Sequence, residues 1–249
     1  MKKITLILTA LFLSLQAIAQ IGNVNMEKFN GQGQMGNLFA EMRRKKDIVS
    51  DLPTVGSVYI DEEFKPCKIY YNTEFVGDFF YRHNAFNDEI EIKDTSSPYD
   101  NEISSLVALR QLKLIDTKDQ TELSLHVYQT KEDNLRNGYL YELSNGPKYN
   151  LYFKNNVKYT QGTHPVTSLT RPTPNKFSHF VEYYLKRNGE ETAQSLGRSR
   201  GDFLKVVDAD IRDQVKEYLK EEKIDLKNSQ DLIRLFAYMN DLVSVDSKP

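Results

Sequence analysis

The sequence has one cysteine, Cys67, no tryptophan and no excess of positive charge. A single thiol cannot close an internal disulfide, so the chain is not a small disulfide-stapled domain. The net charge of −2 argues against non-specific binding of nucleic acid, which needs a basic surface. No stretch reaches the roughly 20 apolar residues that a membrane-spanning helix needs. These absences leave an ordinary globular composition with many tyrosines and phenylalanines.

The N-terminus, MKKITLILTALFLSLQAIAQ, follows the pattern of a secretory signal peptide. Lys2 and Lys3 give a positive start, an apolar stretch follows, and Ala17-Ile18-Ala19 offers small residues to a signal peptidase. A membrane anchor is the alternative reading, but the apolar stretch is too short for one. We therefore expect residues 1–19 to be removed before Gln20 and the mature protein to be exported.

The cysteine lies in the stretch EEFKPCKIYY, which alternates like a strand. That rhythm places Cys67, Ile69 and Tyr71 on one face. A lipoprotein would have its cysteine at the cleavage site, where this chain has Gln20, so a lipid anchor is excluded. A buried, small apolar role is favoured for Cys67. A nucleophile and an intermolecular disulfide remain as alternatives, although no neighbouring histidine is evident to activate the thiol.

The rest of the chain divides into three segments. Residues 20–54 form a flexible lead-in with a possible short helix, residues 55–196 an antiparallel β domain, and residues 197–249 C-terminal helices packed on it. The fold class is therefore α+β: a curved antiparallel β-sheet, half-barrel or sandwich-like, followed by a small C-terminal helical segment. We expect eight to ten strands with one face in water.

The strand assignments rest on the alternation of apolar and polar residues. In DEIEIKD, Ile90 and Ile92 face inward. In TELSLHVYQ, Leu123, Leu125 and Val127 alternate with Ser124, His126 and Tyr128, which we expect to face outward. Asn145-Gly146-Pro147 and Asn188-Gly189 predict hairpin turns.

After residue 196 the apolar spacing changes to that of helices. Ser199, with Asp202 three residues on, predicts a capped helix start. Asp208 and Ser229 are the predicted caps of two further helices. The apolar stripes of these two helices are Ile211, Val215, Tyr218 and Leu219, and Leu232, Leu235, Phe236, Met239 and Leu242.

Few motifs for chemistry are present. The P-loop pattern, HExxH and CxxC are absent. The histidines are scattered along the chain at His83, His126, His164 and His179. On a strand, His179 and Glu182 would point to opposite faces, which argues against a shared metal site. We therefore assign no catalytic, cofactor-binding or metal-ligating residue, and we expect no cofactor.

Three acidic clusters are predicted to be charged turns, at Asp61 to Glu63, Asn87 to Glu89 and Asp116 to Glu122. The last lacks the central glycine and terminal glutamate of a calcium loop. Adjacent aromatics such as Tyr70-Tyr71 and Tyr183-Tyr184 should point to opposite faces. Cross-strand packing explains them best, and an outward row of tyrosines that stacks on sugars is the alternative.

The segments GSVYIDEEFKPCKIYYN, DEIEI, YYLKRNG and VKEYLKEEKIDLKNSQDLIRLFAYMNDL, together with the leader ending AIAQ, resemble a family of exported proteins of Bacteroidetes. The resemblance spans most of the mature chain. It implies a Gram-negative periplasmic or cell-surface setting. That family has no assigned activity, so the resemblance implies no role for any position of this chain.

Function is therefore expected at the level of class. The leading hypothesis is a non-enzymatic envelope module with a binding or structural role, whose partner is an envelope lipid, glycan or protein. The alternatives are a hydrolase of envelope glycans, with acids such as Asp61 to Glu63 in a cleft, and a surface carbohydrate-binding module. We expect no nucleic-acid partner and no transmembrane segment in the mature chain.

Overall fold

The structure is a computed structural model, and it describes residues 52–94, 103–164 and 171–246. The predicted signal peptide and nearly all of the lead-in lie outside the described residues. The described residues from Pro53 onward belong to one compact unit.

Eleven strands and three helices follow one another along the described chain. The strands are β1 (Thr54–Val55), β2 (Lys65–Tyr71), β3 (Glu74–Asn84), β4 (Glu89–Asp94), β5 (Ser104–Ser105), β6 (Leu112–Asp116), β7 (Glu122–Gln129), β8 (Leu135–Ser144), β9 (Tyr149–Thr160), β10 (Asn175–Arg187) and β11 (Thr192–Ser195). The helices are α1 (Arg200–Val206), α2 (Arg212–Glu221) and α3 (Ser229–Asp246). The predicted α+β class is confirmed.

All the strands belong to one curved sheet with the order β1-β10-β9-β8-β7-β6-β2-β3-β4-β5. β11 lies off this path and pairs antiparallel with β10 and parallel with β7. β7 can serve both neighbours because its first half pairs with β6 and its second half with β11. Strands β7, β8, β9, β10 and β11 therefore close into what we call the five-strand ring.

The sheet is mixed, although we expected it to be antiparallel throughout. The two parallel pairs are β1 with β10 and β11 with β7. The hairpins at Asn145-Gly146-Pro147 and Asn188-Gly189 are confirmed, since β8 pairs with β9 and β10 with β11. Gly189 has φ of +86°, a conformation that glycine adopts without strain.

Closure of the ring also changes which faces of its strands are exposed to solvent. Leu123 and Leu125 face the apolar core, as predicted, and this core lies against the outer face of the ring. Ser124 and Tyr128 were expected to face water, but they are buried because their face lines the interior of the ring. The expectation of one wet face is therefore wrong for these strands, since pairing of β11 with β7 encloses the second face.

The apolar interior consists of three clusters. The ring core contains one residue from each ring strand: Tyr128, Leu140, Tyr152, Tyr184 and Ala193. The sheet core lies between the outer face of the ring and strands β2, β3, β4 and β6, and contains Cys67, Ile69, Tyr81, Ile90, Leu114, Leu123, Tyr139 and Tyr141. The helix core joins the three helices to β9 and β10 through fifteen buried residues.

Cys67 is 1% exposed on β2, as the strand rhythm predicts. Burial, with a smaller contribution from the nearby carboxylate of Asp116, raises the pKa of its thiol to about 12. The prediction for Tyr71 is wrong, because Tyr71 is exposed while Ile69 is buried. A register shift in the β2–β3 pairing between Ile69 and Tyr70 breaks the two-residue alternation there.

The helix starts agree only partly with the predicted caps. Ser199 caps α1, and its Oγ accepts a hydrogen bond from the Asp202 backbone N–H at 3.1 Å. Asp208 does not cap α2, whose N-cap is Ile211 without a side-chain hydrogen bond. For α3 the side chain of Asn228, not Ser229, accepts hydrogen bonds from the first-turn N–H groups, at 2.9 and 3.2 Å.

The predicted apolar stripes of α2 and α3 lie in the helix core. Val215, Leu219 and Phe236 are fully buried there. Removing a buried phenylalanine side chain costs about 3–5 kcal/mol, so this interface holds a large part of the stability of the fold. In the described part of the chain, no helix combines the length and the apolar character that crossing a membrane requires.

Candidate functional site

A polar cleft of about 310 Å³ lies at one end of the five-strand ring. We call it the His126 cleft. Its floor comes from side chains that face the ring interior, one or two from each of four strands: Ser124 and His126, Glu142, Tyr152, and Lys186. The register places them together, because Glu142 pairs with Tyr152 and Lys186 pairs with Asn150. Arg110, Lys113 and the hairpin at Asn188-Gly189 complete the wall.

His126 is fixed between two polar neighbours. Its Nε2 lies 2.9 Å from Ser124 Oγ, and its Nδ1 lies 3.4 Å from Lys186 Nζ. An ammonium group only donates hydrogen bonds, so Nδ1 must be the acceptor and the imidazole must be neutral. The ring proton is then on Nε2 and is donated to Ser124. The imidazole also packs on the ring of Tyr152, with centroids 4.7 Å apart.

The electrostatics of the cleft disfavour positive charge on these bases. Burial, followed by the positive charges of Lys186, Lys113 and Arg110, lowers the pKa of His126 to about 4. Burial and the charge of Arg110 lower the pKa of Lys186 as well. Perturbed pKa values of this kind concentrate at functional sites.

Most carboxylates of the cleft already have an ion-pair or hydrogen-bond partner within the protein. Glu122 forms an ion pair with Lys113 at 2.8 Å. Glu190 lies 3.5 Å from the guanidinium of Arg187, which also binds Asp208 at 2.7 Å. Glu142 accepts a long hydrogen bond from the Tyr152 hydroxyl, at 3.4 Å. Burial and the charge of Glu122 raise the pKa of Glu142.

Two cations of the cleft, Lys186 and Arg110, are not strongly neutralised by any described side chain. Among the described residues Lys186 makes no ion pair, and its ammonium contacts the His126 ring. Arg110 lies 3.9 Å from Glu191, but both side chains are more than half exposed, and such a pair contributes little. The cleft can therefore offer a ligand two positive groups, a histidine and carboxylate acceptors.

A second, smaller cavity of about 160 Å³ lies between β3, β8 and β9. At its floor the Tyr141 hydroxyl lies 2.9 Å from His83 Nδ1, and His83 Nε2 lies 3.2 Å from Asp88 Oδ1. Burial lowers the pKa of His83 and raises the pKa of the Tyr141 hydroxyl. An unionised tyrosine held by a neutral histidine is a structural network and a poor nucleophile.

Asp88 also reaches into the ring, where its Oδ2 lies 2.5 Å from Lys154 Nζ. Burial alone would raise the pKa of Asp88, but the hydrogen bond from His83 and the charge of Lys154 outweigh it and hold the pKa low. Gly138 makes this contact possible. A Cβ at Gly138 would lie 2.5 Å from Asp88 Oδ2 and 2.8 Å from the Tyr128 ring.

The predicted acidic turns are all near the second cavity. Asp61 and Glu63 line its rim, and Asp61 forms an ion pair with Lys65. Asp119 lines it too, but hydrogen bonds from Thr121 outweigh burial and lower its pKa, the wrong direction for a general acid. The Asp116–Glu122 segment is a hairpin loop between β6 and β7, as predicted.

The predicted turn at Asn87–Glu89 is also confirmed, and it does more than carry charge. It joins β3 to β4 and holds Asp88 at φ of +57°. This conformation directs the chain so that Asp88 enters the buried network described above.

Among the described residues, the tyrosines do not form an outward row. Tyr128, Tyr152 and Tyr184 fill the ring, and Tyr139, Tyr141 and Tyr149 are buried on its outer face. The exposed tyrosines Tyr71 and Tyr159 lie on β2 and β9, which are not neighbours in the sheet.

The remaining histidines are apart from both cavities. His164 is exposed after β9, and His179 is exposed on β10, where its Nε2 lies 2.7 Å from the Ser57 carbonyl. The strand at His179 and Glu182 is confirmed. In the part of the chain that the structure covers, no three His, Cys, Asp or Glu side chains are grouped closely enough to hold a metal ion.

The sequence contains two glycine patterns that resemble functional motifs. Gly197-Arg198-Ser199-Arg200-Gly201 matches G-x-S-x-G between a strand and a helix, the context of a nucleophile elbow. Here Ser199 has ordinary extended backbone, with φ of −95°, and its Oγ is bonded to Asp202 at 2.6 Å. This serine is therefore a helix cap.

The second pattern is Gly31-Gln32-Gly33-Gln34-Met35-Gly36, which matches G-x-G-x-x-G. It lies outside the described residues. The fingerprint indicates a dinucleotide site only directly after a strand, and the preceding Met26-Glu27-Lys28-Phe29-Asn30 has no strand pattern. It therefore changes none of the assignments.

The residues of the His126 cleft were not identified from the sequence. Within β7, alternation places Ser124 and His126 on one face. The register of the β7–β8, β8–β9 and β9–β10 pairs adds Glu142, Tyr152 and Lys186 to that face, and the sequence alone does not give this register. Comparisons with protein-family models, with curated proteins and with solved structures found no match to this chain.

Proposed function

We propose that the protein is an exported, non-enzymatic binding module of a Gram-negative envelope, and that the His126 cleft binds a small acidic sugar or a molecule of the same chemistry. The leader pattern and the resemblance of the chain to exported Bacteroidetes proteins support the export and the setting. The composition and geometry of the cleft support the ligand class.

The observation that carries the proposal is the half-buried Lys186. Its ammonium occupies a cleft without forming an ion pair among the described residues, and its pKa is lowered by burial and by Arg110. A charge held in this way is unfavourable unless a negative group joins it. A carboxylate, sulfate or phosphate between Lys186 and Arg110 would supply that group.

The other side of the cleft favours hydroxyl groups on the same ligand. The oxygens of Glu142 and Glu122 accept hydrogen bonds and repel a second anion. A flat hydrophobic molecule finds little apolar surface there, because the wall is made of charged and amide side chains. A ligand with one anionic group and several hydroxyls matches both sides.

An internal lipid site, one of the partners considered from the sequence, has less support. The space between helices and sheet is filled by the fifteen buried residues of the helix core. The five-strand ring is filled at its centre by three tyrosines. Of the envelope partners expected, a glycan therefore fits the structure better than a lipid.

Isothermal titration calorimetry with D-glucuronate and neutral D-glucose tests the ligand class. We expect glucuronate to bind at least tenfold more tightly, and Lys186→Met to weaken it about 10- to 100-fold, because a hydrogen bond to a charged group contributes about 1.5–3 kcal/mol. Lys158→Met, at an exposed lysine on β9, is the matched control and should bind normally. Equal affinities for the two sugars, or no binding of either at millimolar concentration, would refute the proposal.

Hydrolysis of an envelope glycan is the second candidate, and Glu142 is the observation that favours it. Its raised pKa suits a general acid, and Glu122 supplies a second carboxylate in the same cleft. Release of reducing ends from acidic oligosaccharides that is abolished in Glu142→Gln would establish this function. Stoichiometric binding of the oligosaccharide without its hydrolysis would instead support the binding function.

The setting is tested separately. The protein expressed with its leader in a Gram-negative host should be recovered outside the cytoplasm and should begin at Gln20 by mass spectrometry. Full-length protein in the cytoplasm would contradict the proposed export, and it would not affect the ligand-binding test.

A further inference from the structure

We propose that the His126 cleft takes up one proton, at His126, when it binds the anionic group of its ligand, so that affinity rises as the pH falls. This inference rests on the proposed function of the cleft and adds its regulation. It follows from which hydrogen-bond partners the two bases can have before and after an anion enters.

In the free cleft, Lys186 and His126 are arranged as donor and acceptor. The Lys186 ammonium lies 3.4 Å from Nδ1, so this nitrogen must offer its lone pair. An anion that binds Lys186 attracts this ammonium away from the ring and presents its own oxygen acceptor to Nδ1. Nδ1 can satisfy that oxygen only by carrying a proton. Either the ring proton moves from Nε2, with Ser124 then donating to Nε2, or a second proton is taken up. The negative charge of the anion favours the second arrangement, which is the one we propose.

The opposite ring nitrogen is ready for the charged form. Nε2 already donates to Ser124 Oγ at 2.9 Å, and an imidazolium retains this bond because both nitrogens then donate. The Tyr152 ring, with its centroid 4.7 Å from that of the imidazole, is close enough to contribute a cation–π interaction. Of the two hydrogen-bond contacts of the ring, the one with Lys186 opposes protonation, in addition to burial and the more distant positive charges.

The charges around His126 come from every strand that packs on it. The positive groups are Lys186 on β10, Lys113 on β6 and Arg110 before it, and they disfavour the imidazolium. The acids in the cleft are Glu122 on β7, Glu142 on β8 and Glu190 after β10. Lys113 and Arg187 form ion pairs with two of these acids. A bound anion would therefore offset the positive charge of Lys186 and Arg110, which disfavours the imidazolium.

The direction of the pH dependence follows from these states. Free His126 has a pKa of about 4, so it is neutral above about pH 5. With an anion bound, its pKa should move up toward the ordinary histidine value of about 6.5. Between the two values binding takes up one proton, and affinity changes by up to about tenfold per pH unit. Above the higher value the affinity is independent of pH.

The experiment is calorimetric titration with sulfate and with D-glucuronate, both fully ionised from pH 5.0 to 7.5, in buffers of different ionisation enthalpy. We expect uptake of up to one proton below about pH 6.5, and affinity about tenfold or more higher at pH 5.0 than at pH 7.5. NMR titration of the His126 ring, with and without saturating sulfate, should show its pKa rising on binding.

Two variants localise the proton. His126→Gln keeps an acceptor for Lys186 but cannot titrate, so it should bind with an affinity that does not change with pH. His179→Gln, at the exposed histidine of β10, should bind like the natural protein at every pH.

The outcomes separate the two proposals. Binding that does not change with pH and takes up no proton overturns this inference, while the proposed binding function still stands. Binding whose pH dependence survives in His126→Gln also overturns it, because the proton is then on another group. Failure of both anions to bind at any pH overturns the inference together with the proposed function.

Discussion

Asn240 on α3 is the side chain whose removal tests how the helices are joined to the sheet. It is buried, and its amide replaces a strand neighbour for the start of β9. Its Oδ1 accepts hydrogen bonds from the N–H groups of Lys148 and Tyr149, at 3.1 and 2.9 Å. Its Nδ2 donates to the carbonyls of Tyr149 and Phe236, both at 2.9 Å.

Asn240→Ala should strongly destabilise the protein. The variant leaves the buried N–H and C=O of Tyr149 without partners, whereas the Phe236 carbonyl keeps its helical bond. Each orphaned buried group costs about 1–3 kcal/mol, so the two together give a loss of about 2–6 kcal/mol in the free energy of unfolding. Total stabilities are usually about 5–15 kcal/mol, so this is a large fraction.

Urea denaturation followed by circular dichroism measures this loss. With an m-value of about 2–3 kcal/mol/M, the midpoint should fall by about 1 M or more. Asn137→Ala, at an exposed asparagine of β8, is the control and should change the free energy of unfolding by less than about 0.5 kcal/mol. A loss below 1 kcal/mol in Asn240→Ala would refute the idea that this amide satisfies the edge of β9.

Asn240→Asp separates the hydrogen bonds from side-chain volume. It keeps the acceptor for two N–H groups but turns an oxygen toward two carbonyls, where burial and repulsion raise its pKa. Stability tied to a raised pKa is present at low pH and is lost as the pH rises. The deficit of this variant relative to the natural protein should therefore shrink from pH 7 to pH 5. A deficit independent of pH would contradict the assigned geometry.

Three further predictions concern the buried groups. Gly138→Ala should cost more than 2 kcal/mol in urea denaturation, because the new Cβ would collide with Asp88 Oδ2; a neutral effect would contradict the close approach. Native Cys67 should resist alkylation at pH 8 and react only on unfolding, since burial raises its pKa to about 12; rapid labelling would disprove its burial. Stability should decline as the pH falls below about 6.5, because the lowered pKa of His83 lets the unfolded chain bind the proton first, and His83→Gln should flatten this decline.

The sequence predicts the elements of this fold well where one local rule decides. Ile90 alternates into the sheet core, and Phe236 and Val215 lie on helical stripes that must dock. Asn188-Gly189 turns a hairpin because glycine accepts the positive φ that the turn needs. In each case the information is contained within a few residues.

The rest depends on partners far away in the chain. Asp208 has the spacing of a cap, but it accepts hydrogen bonds from Tyr149, at 2.7 Å, and from Arg187 and Lys148. Burial would raise its pKa, yet these partners together lower it to about 2. The closing pair of β11 with β7 joins segments more than sixty residues apart, for example Thr192 with Val127. No alternation rule indicates that such a pair forms.

That pair also explains why the cleft was not found from the sequence. Alternation correctly separates Ser124 and His126 from the apolar side chains of β7. It then predicts that they face water, because a single curved sheet has only one dry face. Closing the ring gives the polar face an interior of its own, and a set of polar side chains expected on the surface becomes the wall of a cleft.

The two lysines of that interior face show why Lys186 points to a ligand. Lys154 is also inside the ring, 5% exposed, and Asp88 neutralises it through the gap that Gly138 leaves. Gly138 is the cross-strand neighbour of His126. Lys154, which Asp88 neutralises, lies beside Gly138 of β8. Lys186, which has no ion pair among the described residues, lies beside His126 of β7. The fold therefore directs a turn inward to pair Lys154, while Lys186 faces His126 in an open cleft. A charge left without this compensation is the feature that an anionic ligand would complete.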